Sequence, residues 1–150
     1  MGKQKIIGVI GAGDGKTLRA AETVGRLIAK RGALLVCGGL GGVMEAAAKG
    51  AKAEGGTTVG ILPQTEKESS NPYIDIPVAT GFGEGRNVVI VRTADALIAV
   101  GGEYGTLSEI AFALKMGKIV VGLNTWDIKG VIKAANEEEA VERAFNEPAS

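Results

Sequence analysis

Three times along this sequence, a short run of aliphatic residues ends directly in a cluster of glycines. Each run lacks polar alternation, which is typical of a strand buried on both faces of a parallel sheet. A stretch with helical spacing follows each cluster, so the pattern predicts repeated β-α units joined by glycine-rich turns. The clusters are Gly11-Ala12-Gly13-Asp14-Gly15, Gly38-Gly39-Leu40-Gly41-Gly42 and Gly101-Gly102-Glu103-Tyr104-Gly105-Thr106.

Strand-like and helix-like segments alternate along the chain. Polar residues 64–75 are expected to form an exposed loop, with a lid as one option. We predict strands at residues 6–10, 34–37, 59–62, 76–80, 96–100 and 119–123, and helices ending at residue 31 and covering 43–54, 84–93, 105–116 and the tail after a cap at Asn136. One α/β domain over residues 1–150 is therefore predicted. Its core is a Rossmann-like, doubly wound, mainly parallel sheet of about six or seven strands, flanked by helices on both faces.

Composition narrows the function classes. Lys+Arg and Asp+Glu are equal at 17 each, so no basic excess indicates nucleic acid as a partner. The chain has no histidine, which removes the usual general base and the commonest metal ligand. The single cysteine, Cys37, is interpreted as a small core residue rather than a nucleophile, and it suits a reducing compartment. With no apolar run long enough for a membrane span and no signal peptide, the expected location is cytoplasmic.

The glycine clusters indicate an anion site. In a parallel sheet the carboxyl ends of the strands meet at one edge, where helix N-termini present free N–H groups. The first cluster is not a dinucleotide fingerprint, because the sixth position counted from Gly11 is Lys16. A Walker A loop ending in Lys16-Thr17 would need glycine at Ile10, which disfavours an ATPase. Lys16 and Thr17 remain open as phosphate contacts or as exposed first-turn residues.

The second and third clusters resemble the two signatures of the LOG-like proteins, once titled lysine decarboxylases. The resemblance spans residues 6–124, and the compact length is most similar to the branch that includes molybdenum cofactor carrier proteins. The first signature is matched by Gly38, Gly39, Gly41, Gly42, Val43 and Met44, with Val59-Gly60-Ile61-Leu62-Pro63 further on, and the second by Gly102, Gly105, Thr106 and Glu109.

This resemblance implies a reaction and a catalytic pair. LOG enzymes hydrolyse the N-glycosidic bond of nucleoside 5′-monophosphates with an arginine and a glutamate, which Arg86 and Glu109 match; Arg92 matches a second family arginine. A carboxylate can stabilise an oxocarbenium ion while it orients water, and this chemistry needs no metal. Arginine can hold phosphate or ribose oxygens in a fixed fork.

The sequence also departs from the enzymes of that family. The motif proline is Gly101, the second motif glycine is Glu103, and the lysine after the catalytic arginine is Asn87. Ser108 replaces the first glutamate of a pair. Glu103 adds negative charge beside the expected anion site, which would weaken phosphate binding or redirect specificity. These changes argue more strongly against hydrolysis than against binding.

Three functions follow as hypotheses. The first is a binding or carrier protein for a phosphate-bearing, nucleotide-like ligand, either a nucleotide or a molybdopterin-type cofactor. The second is a phosphoribohydrolase, and the third is a non-catalytic interaction protein that only retains the fold.

Three of the residues also fit purely structural roles. Arg86 fits a cap or an ion-pair partner on a helix surface, and Glu109 fits a carboxylate stabilised by the helix dipole. Trp126 fits a packing role better than stacking on a base. We expect a homodimer or larger homo-oligomer through helices 43–53 and 84–93, with no required cofactor. The predicted site residues are Arg86 and Glu109 if catalytic, and Gly11, Gly13, Gly38, Gly39, Gly41, Gly42, Met44, Arg86, Gly102, Gly105 and Thr106 for the ligand and its phosphate.

Overall fold

A parallel sheet forms the centre of the molecule in the computed structural model, which describes residues 4–146. In this part of the chain the sheet has seven strands in the order β4-β3-β2-β1-β5-β6-β7, and every neighbouring pair is parallel. The strands are β1 Ile6–Ala12, β2 Leu34–Cys37, β3 Thr58–Leu62, β4 Ile76–Ala79, β5 Ala96–Gly101, β6 Ile119–Leu123 and β7 Ile132–Lys133. The predicted Rossmann-like α/β fold is confirmed.

Helices cover both faces of the sheet. They are α1 Gly15–Lys30, α2 Val43–Ala53, α3 Arg86–Thr93, α4 Tyr104–Lys115 and α5 Glu137–Asn146. One aliphatic core lies between the sheet and α1, α2 and α5, and a second lies between the sheet and α3 and α4. No helix among residues 4–146 is long and apolar enough to cross a membrane.

The chain starts from β1 and builds outward in one direction to β4, then returns to add β5 on the other side of β1. The strand order therefore reverses between β1 and β5. Ligands of open α/β sheets bind at such a reversal, outside the carboxyl ends of the strands. The carboxylate of Asp95 fixes the opposite end of this pair, where its Oδ2 accepts from the Ile6 N–H at 2.8 Å.

A few elements differ from those predicted. Helix α3 begins at Arg86 because residues 83–85 form a separate 3-10 turn. The two-residue strand β7 is too short to show a pattern in sequence. Within the polar loop 64–75, Asn71 is buried; its amide Nδ2 donates to Leu40 O at 2.8 Å and its N–H to Gly39 O at 2.9 Å. These two hydrogen bonds attach the loop to the second glycine cluster. Asn136 caps α5 as predicted, accepting from the Glu139 N–H at 2.8 Å.

Candidate functional site

A cleft of about 200 Å³ opens at the point where the strand order reverses. Its floor is the carboxyl end of β1, and its walls come from the end of β2, the start of α2, and helices α3 and α4. Seven of the residues predicted from sequence line it together, namely Gly11, Gly38, Met44, Arg86, Gly105, Thr106 and Glu109. The lining residues that the sequence did not single out as site residues are Val9, Ile10, Ala12, Glu84, Asn87, Ile90 and Glu103.

The guanidinium of Arg86 is held in place at the start of α3. Its side chain is buried, with 9% of the residue exposed, and Nε donates to the Ile61 carbonyl at 2.9 Å. Nη2 donates to the Gly38 carbonyl at 3.4 Å, and Nη1 donates to Asn87 Oδ1. Nη2 also donates to Met44 Sδ, a weak acceptor, at 3.9 Å. A guanidinium has five N–H donors, so one, on Nη1, remains for a ligand. Arg86 is thus a preorganised cation, and its burial does not fit the alternative interpretation of this residue as a cap or pair on a helix surface.

Gly38 makes room for that guanidinium. A Cβ at Gly38 would lie 2.6 Å from Arg86 Nη2 and 2.5 Å from Met44 Sδ. Gly11 has a φ of +145°, and its Cβ would lie 2.0 Å from the Val100 carbonyl oxygen on the neighbouring strand. A side chain at Gly38 would therefore clash with Arg86, and a side chain at Gly11 would clash with the backbone of β5.

Helix α4 turns two buried polar side chains into the cleft. Thr106 and Glu109 are three residues apart, so they share one helix face. Only 4% of Thr106 and 8% of Glu109 is exposed. Within residues 4–146 neither the Thr106 hydroxyl nor the Glu109 carboxylate has a hydrogen-bond partner or an ion pair, although both residues line the cleft. Because both residues line the cleft and neither side chain is engaged by the protein, their polar atoms are free to contact a ligand there.

Burial raises the pKa of Glu109 to about 7, and the positive charge of Arg86 lowers it only in part. The pKa of the Arg86 guanidinium is itself lowered by burial, while the negative charge of Glu109 opposes that effect. Glu109 therefore changes its charge near neutral pH, which is where an acid–base group or a charge-sensitive binding group is useful.

The first turn of α4 faces the same cleft. Its opening N–H groups have no intrahelical acceptor, and the helix dipole adds positive potential there. The N-cap residue Glu103 makes no side-chain hydrogen bond to these amides. A Cβ on Gly105 would meet no atom within 4 Å, so the space beside this turn is open. The unpaired amides of this turn and the Arg86 guanidinium therefore border the same cleft.

Several predicted residues lie elsewhere. Gly13, Gly39, Gly41, Gly42 and Gly102 do not line the cleft. Lys16 and Thr17 instead line a separate cavity of about 320 Å³ beside α1. The Cys37 thiol is fully buried, and burial raises its pKa to about 11, which agrees with a core role.

Two further residues that the sequence singled out also lie outside the cleft. Arg92 is exposed and does not line it. The Trp126 indole N–H donates to the Glu103 carbonyl at 3.1 Å, so Trp126 packs beside the cleft.

Comparison with known proteins gives consistent relatives. The family model described as the SLOG cluster4 family matches residues 4–148. An uncharacterized protein of Archaeoglobus fulgidus is 56% identical over 138 residues, which cover 90% of this chain and 91% of that one. A cytokinin riboside 5′-monophosphate phosphoribohydrolase of Mycobacterium marinum is 36% identical, covering 73% of this chain and 63% of that one. The structure of a molybdenum cofactor binding protein from Rippkaea orientalis matches with a TM-score of 0.88 and 38% identity, covering 93% of this chain and 94% of that one.

Proposed function

Since the chain belongs to the SLOG cluster4 family, we propose that it is a binding or carrier protein for a phosphate-bearing, nucleotide-like ligand held in the cleft between α3 and α4. The observation that carries this proposal is the pair of buried, unpartnered side chains, Thr106 and Glu109, that face the cleft beside a fixed arginine.

The phosphate would bind at the first turn of α4. There the amides of Gly105 and Thr106 and the Thr106 hydroxyl are donors on one element, and the remaining Nη1 N–H of Arg86 approaches from another. A terminal phosphate is common to nucleotides and to molybdopterin, so both ligands suit this turn. The similarity to the Rippkaea orientalis protein supports a molybdenum cofactor as one such ligand.

A second candidate function is hydrolysis of a nucleoside 5′-monophosphate. Arg86 and Glu109 lie in one cleft, as the resemblance to the LOG enzymes requires, and the similarity to the Mycobacterium marinum enzyme favours it. Ionised Glu109 would stabilise positive charge on the ribose and orient a water molecule, while Arg86 would hold the phosphate or ribose oxygens. Asn87 stands where those enzymes carry a lysine, which separates this chain from them.

Two measurements on one purified protein test these functions. Thermal unfolding with AMP, GMP, CMP and UMP and with a phosphorylated pterin reports binding, because a ligand that binds only the native state raises the melting temperature. Chromatography of the same nucleotide mixtures reports free base. A raised melting temperature without base release supports the carrier, and base release supports the hydrolase. No shift with any ligand contradicts both and favours an interaction protein that only retains the fold.

A matched pair of variants assigns the binding to the cleft. Thr106→Val removes a hydroxyl that has no protein partner, so we expect native stability but at least fivefold weaker ligand binding. Thr93→Val serves as the control, because its hydroxyl donates to Val89 O on α3 outside the cleft. Equal binding by both variants would place the ligand elsewhere.

A further inference from the structure

The segment Gly81-Phe82-Gly83-Glu84-Gly85 lies between β4 and α3, and its residue Glu84 lines the cleft. We refer to this segment as the GFGEG turn. Its backbone is fastened to the rest of the chain. Gly81 N–H donates to Gln64 O at 2.9 Å, and Gly83 N–H donates to Pro63 O at 3.0 Å. Gly81 and Gly83 have φ values of +68° and +58°, a region that favours glycine. The turn is therefore a defined structure that presents its two side chains outward.

Those two side chains are an aromatic ring and a carboxylate. Phe82 is 65% exposed, although burial of a phenyl ring is normally favourable. Glu84 lines the cleft, and within residues 4–146 its carboxylate makes no hydrogen bond or ion pair. Burial lowers the pKa of Arg86, and the charge of Glu84 is one of those that oppose this effect. A free carboxylate can only accept hydrogen bonds, so a ligand at this position has to supply donors.

The placement of the phosphate determines which end of a ligand meets this turn. The amides of the α4 first turn are on one helix, and Glu84 precedes a different helix that forms another wall of the cleft. In a nucleotide the ribose separates the phosphate from the ring. A ligand with its phosphate on α4 and its sugar beside Glu109 would extend its ring toward another wall of the cleft.

Building on the proposed function, we propose that the GFGEG turn recognises a 2-amino-4-oxopyrimidine ring, the ring shared by guanine and the pterins. In this ring a ring N–H lies next to an exocyclic amino group, and together they match the two oxygens of the Glu84 carboxylate. Adenine lacks this pair of neighbouring donors, and hypoxanthine lacks the amino group. Phe82 would stack on the flat face of the ring, a contact that every base allows. Glu84 thus sets the specificity and Phe82 adds affinity.

Calorimetric titration of the full chain with GMP and IMP tests the role of Glu84, because the two nucleotides differ only in the 2-amino group. We expect the wild type to bind GMP about fivefold or more tighter than IMP, the lower end of what a paired set of hydrogen bonds discriminates. Glu84→Gln should remove this preference by weakening GMP to the level of IMP. Phe82→Ala should weaken both nucleotides equally and keep their ratio.

Glu103→Gln is the matched variant, because Glu103 is the other exposed carboxylate that lines the cleft. It lies at the start of α4, so its loss should strengthen both nucleotides through reduced repulsion of phosphate and leave their ratio unchanged. Neopterin monophosphate separates the two sources of the ring: tighter binding than GMP identifies a pterin, and weaker binding identifies guanine. Equal GMP and IMP affinity in the wild type, or loss of the preference in Glu103→Gln instead of Glu84→Gln, would overturn the proposal while leaving the phosphate site intact. Failure of every ligand to bind would overturn the proposed function as well.

Discussion

Arg86 and Glu109 face one cleft from two different helices, yet no ion pair joins them in the part of the chain that the structure describes. Arg86 is committed to the carbonyls of Ile61 and Gly38, and Glu109 is left without a hydrogen bond. The two charges attract each other through space without a hydrogen bond. Burial therefore has a larger effect on both pKa values than this attraction has. The arrangement keeps a cation and an acid apart with room for a ligand between them.

Substituting Gly38 should disrupt binding by displacing Arg86. In Gly38→Ala the new methyl group would overlap the guanidinium and the Met44 sulfur, so both side chains have to move. We expect at least tenfold weaker nucleotide binding and a free energy of unfolding lower by about 1 to 3 kcal/mol. Gly41→Ala in the same turn is the control, because its methyl group would have no atom closer than 4.0 Å. Calorimetric binding and denaturant unfolding measure the difference between them.

Replacing Arg86 by lysine keeps the charge and removes the fork. An ammonium group has three N–H donors, so it cannot donate to Ile61 O, Gly38 O and Asn87 Oδ1 while also presenting an N–H group to a ligand. Arg86→Lys is expected to bind nucleotide at least tenfold more weakly, whereas Arg92→Lys on the exposed end of the same helix should bind like the wild type. Similar affinities for the two variants would show that only the charge of Arg86 matters.

The stability of the protein should fall as pH rises from about 4.5 to 7. Glu109 has an ordinary pKa of 4.5 and a folded pKa of about 7, so in this window the folded chain holds a proton that the unfolded chain releases. The unfolded state binds fewer protons, which makes the slope negative. At about 1.4 kcal/mol per pH unit the total loss from this group is on the order of 3 kcal/mol.

Glu109→Gln isolates this effect. The variant cannot ionise, so it should be more stable than the wild type at pH 8 and should lose the Glu109 contribution to the pH slope. Denaturant unfolding at pH 4, 6 and 8 measures both quantities. An identical pH slope in wild type and variant would mean that Glu109 has an ordinary pKa in the folded protein.

The sequence predicted which turns would converge, and the structure shows why it could not predict which glycines face the cleft. Parallel strands bring their carboxyl ends to one edge, so the sequence alone leads us to expect Gly38, Arg86 and Thr106 together. Gly102 is a glycine for another reason: its φ is +136°, and a Cβ there would lie 2.8 Å from the Thr106 side chain. A glycine has no side chain whose direction sequence periodicity could reveal.

The first glycine cluster shows a second limit. Gly11 contributes to the cleft floor, but Lys16 and Thr17 lie beside a different cavity, because α1 covers the face of the sheet opposite α3 and α4. Similarly, the burial that raises the pKa of Glu109 depends on contacts among α3, α4 and β1, which are far apart in sequence. The sequence therefore identified the candidate residues, whereas the burial and charge around each of them depend on how the helices and strands pack.

The chain should assemble into a homodimer or a larger homo-oligomer. Helix α2, one of the two interfaces expected from sequence, already packs its alanine-rich face on α1: a Cβ on Gly25 would lie 2.0 Å from Ala47 O, which shows how closely the two helices approach. Helix α3 therefore becomes the preferred contact of the two, and half-buried Val88 is the residue to substitute. Light scattering should give at least twice the chain mass of 15.3 kDa for the wild type and a lower mass for Val88→Glu. A wild-type mass of one chain would contradict the assembly, and an unchanged mass for Val88→Glu would move the interface away from α3.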